Sequence, residues 1–140
     1  MPCRPLRLLT GADPRGARSA AVAAGALRMG LVLCGTGVLH LARPAPFDEL
    51  VPRSLPGSPR TWTLGSGVAE LGVGAMLLHP GTRRAGGWAA AALFVGVWPG
   101  NATMAWRARR GSPARRAVTL VRLPLQVPLI TGALRIARAS

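Results

Sequence analysis

The chain has 140 residues, enough for one domain, and combines 49% hydrophobic residues with a formal net charge of +14. A nucleic-acid-binding domain usually spreads basic side chains along one face and adds aromatic residues for base stacking. Here all 18 basic side chains are arginines, clustered between long apolar stretches, and there are only two phenylalanines, four tryptophans and no tyrosine. These features exclude a nucleic-acid partner and favour a membrane protein.

The N-terminal segment, residues 1–18, is polar, basic and interrupted by proline and glycine. A cleaved signal peptide would place its apolar region and a small-residue cleavage site nearer the start of the chain. We therefore expect residues 1–18 to form a flexible polar leader, and residues 19–140 to form a single transmembrane domain.

Four apolar segments follow the leader, each close to the about 20 residues that a helix needs to cross the hydrocarbon core. They predict spans over residues 20–42, 62–79, 85–106 and 117–137. Lipid offers no partner to unpaired backbone groups, so the expected fold is all-α, a membrane-spanning four-helix up-down bundle. In the first link, a stretch bounded by prolines predicts a short interfacial helix over residues 47–51.

The arginines outside the spans divide equally between the two expected sides of the membrane. The positive-inside rule therefore gives no orientation by itself. Because the first link is acidic and rich in proline, it resembles an extracytoplasmic cap, and we expect both termini in the cytoplasm.

Five polar residues within the predicted spans are candidates for an intramembrane site or ion pair: His40, Glu70, Asn101, Arg122 and Gln126. At 1.5 Å of rise per residue, all five fall in the half of the membrane that borders the first and third links. A charge at mid-membrane costs about 2.5–3.5 kcal/mol even on insertion scales. We therefore expect Glu70 and Arg122 to pair with each other, or with the two amides.

Each candidate also has a structural interpretation. Glu70 and Arg122 would hold the second and fourth spans in register, His40 would lie in the headgroup region, and the amides would bond between helices. Gly67 and Gly74 share the helix face of Glu70 and would let another helix approach closely.

No metal-ligand spacing, haem motif or nucleophile triad occurs in the sequence, so neither a metal site nor an independent catalytic centre is expected. Cys3 and Cys34 form no CxxC pair, which disfavours thiol–disulfide chemistry.

Short motifs in this order resemble those of the DoxX-like family of small four-helix bacterial membrane proteins. They are Gly37-Val-Leu-His40, Gly67-Val-Ala-Glu70-Leu71, Pro99-Gly-Asn101 and Arg122-Leu-Pro-Leu-Gln126, within residues 28–137. The resemblance implies a multi-pass protein of the bacterial inner membrane. Some members of that family are similar to the small subunit of a thiosulfate:quinone oxidoreductase.

Three functions stay open at this point. The leading one is an accessory or subunit protein whose polar pocket binds a quinone or another lipophilic small molecule; no other cofactor is implied. The second is a redox subunit that passes electrons and protons between such a ligand and a partner protein. The third is a purely structural membrane protein. The expected partners are the lipid bilayer and a membrane or redox protein.

Overall fold

The computed structural model describes residues 13–140, apart from the side chains of Arg115 and Val118. This range holds five α-helices and no strand, which confirms the all-α prediction. The helices are α1 (Pro14–Ala42), α2 (Ala45–Asp48), α3 (Pro59–Leu78), α4 (Arg83–Ala108) and α5 (Pro113–Ala139), with a 3₁₀ turn at Pro80–Thr82 before α4.

The first helix begins earlier than the sequence predicts. Asp13 caps α1 by accepting a hydrogen bond from the Arg15 backbone N–H at 3.0 Å, and Pro14 occupies the first helical position. Residues 14–18 are therefore helical, not part of a flexible leader; residues 1–12 lie outside the described residues. The same pairing of cap and proline starts α3, where Ser58 accepts from the Thr61 N–H at 3.2 Å.

The short helix in the first link also begins earlier than predicted. It covers Ala45–Asp48, not residues 47–51, because the Pro44 carbonyl accepts from the N–H groups of Phe47 and Asp48 at 2.9 and 3.0 Å. The Asp48 carboxylate then accepts from Nε of Arg60 at 2.9 Å. This contact ties α2 to the first turn of α3.

The four long helices form a ring of antiparallel neighbours. α1 packs mainly on α3 and α4 mainly on α5, while smaller α3–α4 and α1–α5 contacts close the ring. The short 3₁₀ connection makes α3 and α4 neighbours, as its length predicts. α3 and α5 consequently lie diagonally across the bundle.

Glycine and alanine make up most of the buried positions, with a few large residues such as Leu77 and Phe94, and large apolar residues cover the outside. A methyl group at Gly37 would lie 2.8 Å from the Gly67 carbonyl oxygen, and one at Gly30 would lie 3.0 Å from that of Gly74. The backbones of α1 and α3 are thus in direct contact, as in many membrane-helix pairs. On the outer surface, large side chains are exposed, among them Leu31, Val32, Val68, Val95, Trp106 and Leu120.

Two of the helices in the described part of the chain are long and apolar enough to cross a membrane, judged by length and composition. They are Pro14–Ala42 and, within α5, Thr119–Ala139. The other two long helices, α3 and α4, cover the second and third predicted spans. Pro99 lies inside α4, and α5 contains Pro124 and Pro128.

Candidate functional site

Glu70, the single acidic residue within the four predicted spans, lies buried on α3 with 6% of its surface exposed. It belongs to the face of α3 that also carries Gly67 and Gly74, both of which touch the backbone of α1. The predicted close approach of another helix at these two glycines is confirmed. The carboxylate is therefore enclosed at the crossing of α1 and α3.

The partner of Glu70 is His40 on α1. His40 Nδ1 lies 3.3 Å from Glu70 Oε2, and Ser66 Oγ, one turn earlier on α3, donates to Glu70 Oε1 at 3.2 Å. His40 Nδ1 is also 2.8 Å from the Thr36 carbonyl oxygen. Because a carbonyl oxygen only accepts, Nδ1 carries a hydrogen and directs it to Thr36.

This arrangement leaves one carboxylate oxygen without a hydrogen bond. Glu70 Oε2 lies within ion-pair distance of His40, yet it is buried and has no hydrogen-bond partner among the described residues. The short contact to Thr36 shows why: the imidazole N–H points elsewhere. His40 and Glu70 are therefore in contact without a hydrogen bond between them, and Oε2 keeps its lone pairs available for a further hydrogen-bond donor.

The first link, which contains α2, packs over the contact between His40 and Glu70. The ring of Phe47 on α2 lies 3.8 Å from the His40 ring, centroid to centroid, with 30° between the planes. The Asp48–Arg60 pair holds α2 in place at the next residue. An aromatic ring stacked on the imidazole limits the positions that a ligand near His40 can occupy.

The predicted pairing of Glu70 with Arg122 is wrong. Among the described residues, the side chain at ion-pair distance from the Glu70 carboxylate is His40. Arg122 is exposed on α5, and its Nη1 lies 3.9 Å from Met104 Sδ on α4. The physical reason is the helix order, because α3 packs mainly on α1 and α5 packs mainly on α4.

The two amides do not join the site either. Gln126 is 3% exposed, and its Oε1 finds no hydrogen-bond partner within residues 13–140. Asn101 is half-buried, and its side chain makes no hydrogen bond or ion pair to the described residues. Of the five candidates, the structure thus brings together only His40 and Glu70.

Three further residues of the site were missed by the sequence analysis: Thr36, Ser66 and Phe47. Thr36 and Ser66 each lie four residues before a candidate, on the same helix face. That spacing could have identified Thr36 and Ser66 from the sequence. No sequence pattern indicates the stacking of Phe47 on His40, because it depends on how the first link folds back.

Two surface depressions lie elsewhere on the described residues. A cavity of about 110 Å³ opens beside the α4–α5 turn and is lined by Glu49, Leu50, Met104, Arg107, Ala108 and Gly111. A shallow apolar groove of about 380 Å³ follows α4 around Pro99, lined by Val95, Trp98 and Ala102. Neither is lined by His40 or Glu70.

Comparison with known proteins gives a family but no activity. Residues 29–137, which hold about half of α1, all of α2 to α4 and most of α5, match the model of a family described as a domain of unknown function (DUF8561). No curated protein and no solved structure matches the chain. The match covers well over half of the sequence, and the chain therefore belongs to the DUF8561 family.

Proposed function

We propose that the chain is an integral membrane protein in which all four long helices cross the bilayer. Its outer surface supports this placement, because large apolar side chains face outwards while glycine and alanine fill the helix contacts. Trp62 and Trp106, 44% and 68% exposed, lie near the end of the bundle that carries α2, where indole rings favour the membrane interface.

The proposed location is the bacterial inner membrane, with the α2 end outside the cytoplasm and both termini inside. Kinship with the DoxX-like proteins is part of the same proposal, supported by the motifs around His40 and Glu70. Reporter fusions at Gly81 and Ser112 test the topology. Opposite signals at the two positions support four spans, whereas equal signals overturn them.

The function that the site supports best is binding of a small lipophilic molecule that donates hydrogen bonds, of which a quinol or quinone is the leading example. The chain would serve as an accessory protein or subunit in the membrane. One observation carries this proposal: the buried Glu70 Oε2 has no hydrogen-bond donor among the described residues, although it lies beside His40 at a helix crossing. A ligand hydroxyl is a suitable donor for it.

Calorimetric titration of the purified full chain in lipid nanodiscs with a short-chain benzoquinol tests the proposal. Because a hydrogen bond to a charged group contributes about 1.5–3 kcal/mol, Glu70→Gln should weaken binding by about tenfold or more. Arg122→Gln is the matched control, since Arg122 is exposed on another helix, and it should bind like the parent. Equal affinity of the two variants, or no binding by the parent, would overturn the proposal.

A purely structural role is the second candidate. The contact between His40 and Glu70 joins α1 to α3, and the glycine contacts hold the same two helices together. In that case Glu70→Gln should lower the yield of folded protein, and the parent should bind no quinol in the titration.

A further inference from the structure

The outer surface of α4 carries a stripe of exposed side chains that the site around Glu70 does not use. Its members follow one another at intervals of three or four residues, so they share one side of the helix. They are Val95, Trp98, Pro99, Ala102, Trp106 and Arg109, and all six are exposed. The other helices in the described part of the chain therefore leave this side of α4 uncovered.

The part of the stripe nearer the start of α4 is the apolar groove of about 380 Å³ lined by Val95, Trp98, Pro99 and Ala102. The compact ring of Pro99 and the single methyl group of Ala102 leave space beside the larger side chains. From Val95 to Ala102 the groove extends about 11 Å along the helix. The hydrocarbon layer of one membrane leaflet is about 15 Å deep. The groove thus has the length and the polarity to hold part of an acyl chain.

A guanidinium is fixed at the other end of the stripe. The Cζ atom of Arg109 lies 3.1 Å from the centroid of the Trp106 ring, and Arg109 Nε donates to the Trp106 carbonyl oxygen at 3.3 Å. These contacts hold the guanidinium at the height of the indole ring, about 6 Å beyond Ala102 along the helix. Because Nε is engaged, the two terminal NH₂ groups of Arg109 are the donors that remain for a ligand.

The distance between the groove and the guanidinium matches the dimensions of a phospholipid. The headgroup layer of one leaflet is roughly 5–8 Å thick, close to the step of about 6 Å between Ala102 and the Trp106 ring. Arginine binds phosphate through parallel hydrogen bonds, and tryptophan favours the boundary between headgroups and hydrocarbon. A phosphate bound to Arg109 would therefore have its acyl chains beside the groove.

The charge at this end of α4 favours one kind of headgroup. Residues 71–140 contain no Asp or Glu, so neither α4 nor the α4–α5 turn offers a carboxylate to a choline or ethanolamine group. Arg107 and Arg110 lie close to Arg109 in the sequence and add positive charge. A headgroup with a net negative charge therefore fits this end better than a zwitterionic one.

We propose that this stripe of α4 binds one anionic phospholipid, with an acyl chain in the groove and the phosphate on Arg109. The lipid site lies on the outer surface of the bundle, whereas the ligand proposed for Glu70 lies at the α1–α3 crossing. The inference rests on the membrane placement proposed above, because it requires lipid around α4.

Fluorescence quenching by lipids with brominated acyl chains tests the site. A reporter chain with Trp62→Phe and Trp88→Phe keeps Trp98 and Trp106, and it is placed in phosphatidylcholine vesicles that contain brominated phosphatidylglycerol or brominated phosphatidylcholine. Phosphatidylglycerol should bind beside these tryptophans at least about threefold more tightly than phosphatidylcholine. Equal binding of the two lipids would overturn the proposal. Absence of quenching by both would also overturn it, since a protein helix would then cover the groove.

Two arginine variants of the reporter chain separate a local site from the general attraction of a basic protein for anionic lipid. Arg109→Gln should bring the preference for phosphatidylglycerol to about one, because the guanidinium stacked on Trp106 is lost. Arg110→Gln removes the same charge at the next exposed position, 100° round the helix, and should leave the preference unchanged. An equal loss in both variants, or no loss in either, would overturn the site.

A matched pair of alanine variants tests the groove. Ala102→Leu fills the groove and should lower the preference for phosphatidylglycerol at least about twofold. Ala92→Leu adds the same bulk at an exposed position of α4 outside the groove and should have no effect. If the two variants behave alike, the groove is not part of the site.

The outcome is separable from the proposals above. Equal signals from the reporter fusions at Gly81 and Ser112 would remove the membrane placement itself. Opposite signals without a preference for phosphatidylglycerol would keep the placement and overturn the lipid site alone. Quinol binding should be the same in Arg109→Gln as in the parent, because Arg109 is exposed at the end of α4 and Glu70 is buried on α3.

Discussion

The α1–α3 half of the bundle buries an ionisable side chain, whereas the α4–α5 half exposes one. In the α1–α3 half, glycines bring the backbones into contact, and Glu70 is buried beside His40. In the α4–α5 half, Arg122 is exposed on the outer surface and reaches Met104. A short glutamate side chain cannot reach the membrane surface, so it is buried beside a polar partner. A long arginine side chain packs its aliphatic part on apolar surface and extends its guanidinium to polar surroundings.

The largest loss of unfolding free energy is expected when His40, the side chain that contacts the buried Glu70 carboxylate, is removed. His40→Leu removes the imidazole beside the buried Glu70 carboxylate, together with its hydrogen bond to Thr36, and should lower the free energy of unfolding by about 3 kcal/mol. Arg122→Leu removes an exposed guanidinium and should change it by no more than about 0.5 kcal/mol. Unfolding in mixed micelles with sodium dodecyl sulfate, followed by far-UV circular dichroism, measures both. Similar losses of unfolding free energy in the two variants would contradict this difference between the two halves of the bundle.

The glycine contacts of the α1–α3 half give the next largest effect. Gly37→Ala forces a methyl group against the Gly67 carbonyl and should cost about 1–3 kcal/mol of unfolding free energy. Gly35→Ala is the matched control on the same helix, because no heavy atom lies within 4 Å of the added group. Alanine favours a helix over glycine, so this control should be neutral or stabilising by up to about 1 kcal/mol. The same unfolding assay would contradict the packing if both variants lost stability alike.

The smallest change in unfolding free energy is expected at the Asp48–Arg60 ion pair, which ties α2 to α3. Asp48→Asn removes the ion pair with Arg60, whose side chain is 52% exposed, and should cost at most about 1 kcal/mol. The loss should shrink at high salt, because exposed charges are screened. Arg53→Gln, at an exposed position of the same link, is the control. A large loss in Asp48→Asn that salt does not change would show that this contact stabilises the fold by other means.

Much of the fold follows from the sequence alone. Apolar segments, prolines and glycines indicate the four long helices, the short helix in the first link and the close face of α3. The boundaries differ where local capping decides them, as at Asp13 and Pro14, and again at Pro44. Apolar length alone cannot locate a helix start, because a capped helix continues into polar sequence.

The site could be predicted only in part, for a reason that lies in helix order. His40 and Glu70 were both identified, but Glu70 was assigned to Arg122 because two opposite charges stand at similar depth. Depth along a helix can be counted from the sequence, whereas the neighbours of each helix depend on packing in all three dimensions. The glycines at 67 and 74 supply only part of this information, since they show which face of α3 is closely approached but not which helix approaches it.

A double-mutant cycle tests the central claim, that the enclosed carboxylate is paired across the α1–α3 crossing. Unfolding free energies are measured for His40→Leu, Glu70→Gln and their combination, and likewise for Arg122→Leu with Glu70→Gln. We expect a coupling energy of about 1 kcal/mol or more between His40 and Glu70, and no more than about 0.5 kcal/mol between Arg122 and Glu70. The reverse order, with Arg122 strongly coupled to Glu70 and His40 independent of it, would contradict the structure of the site.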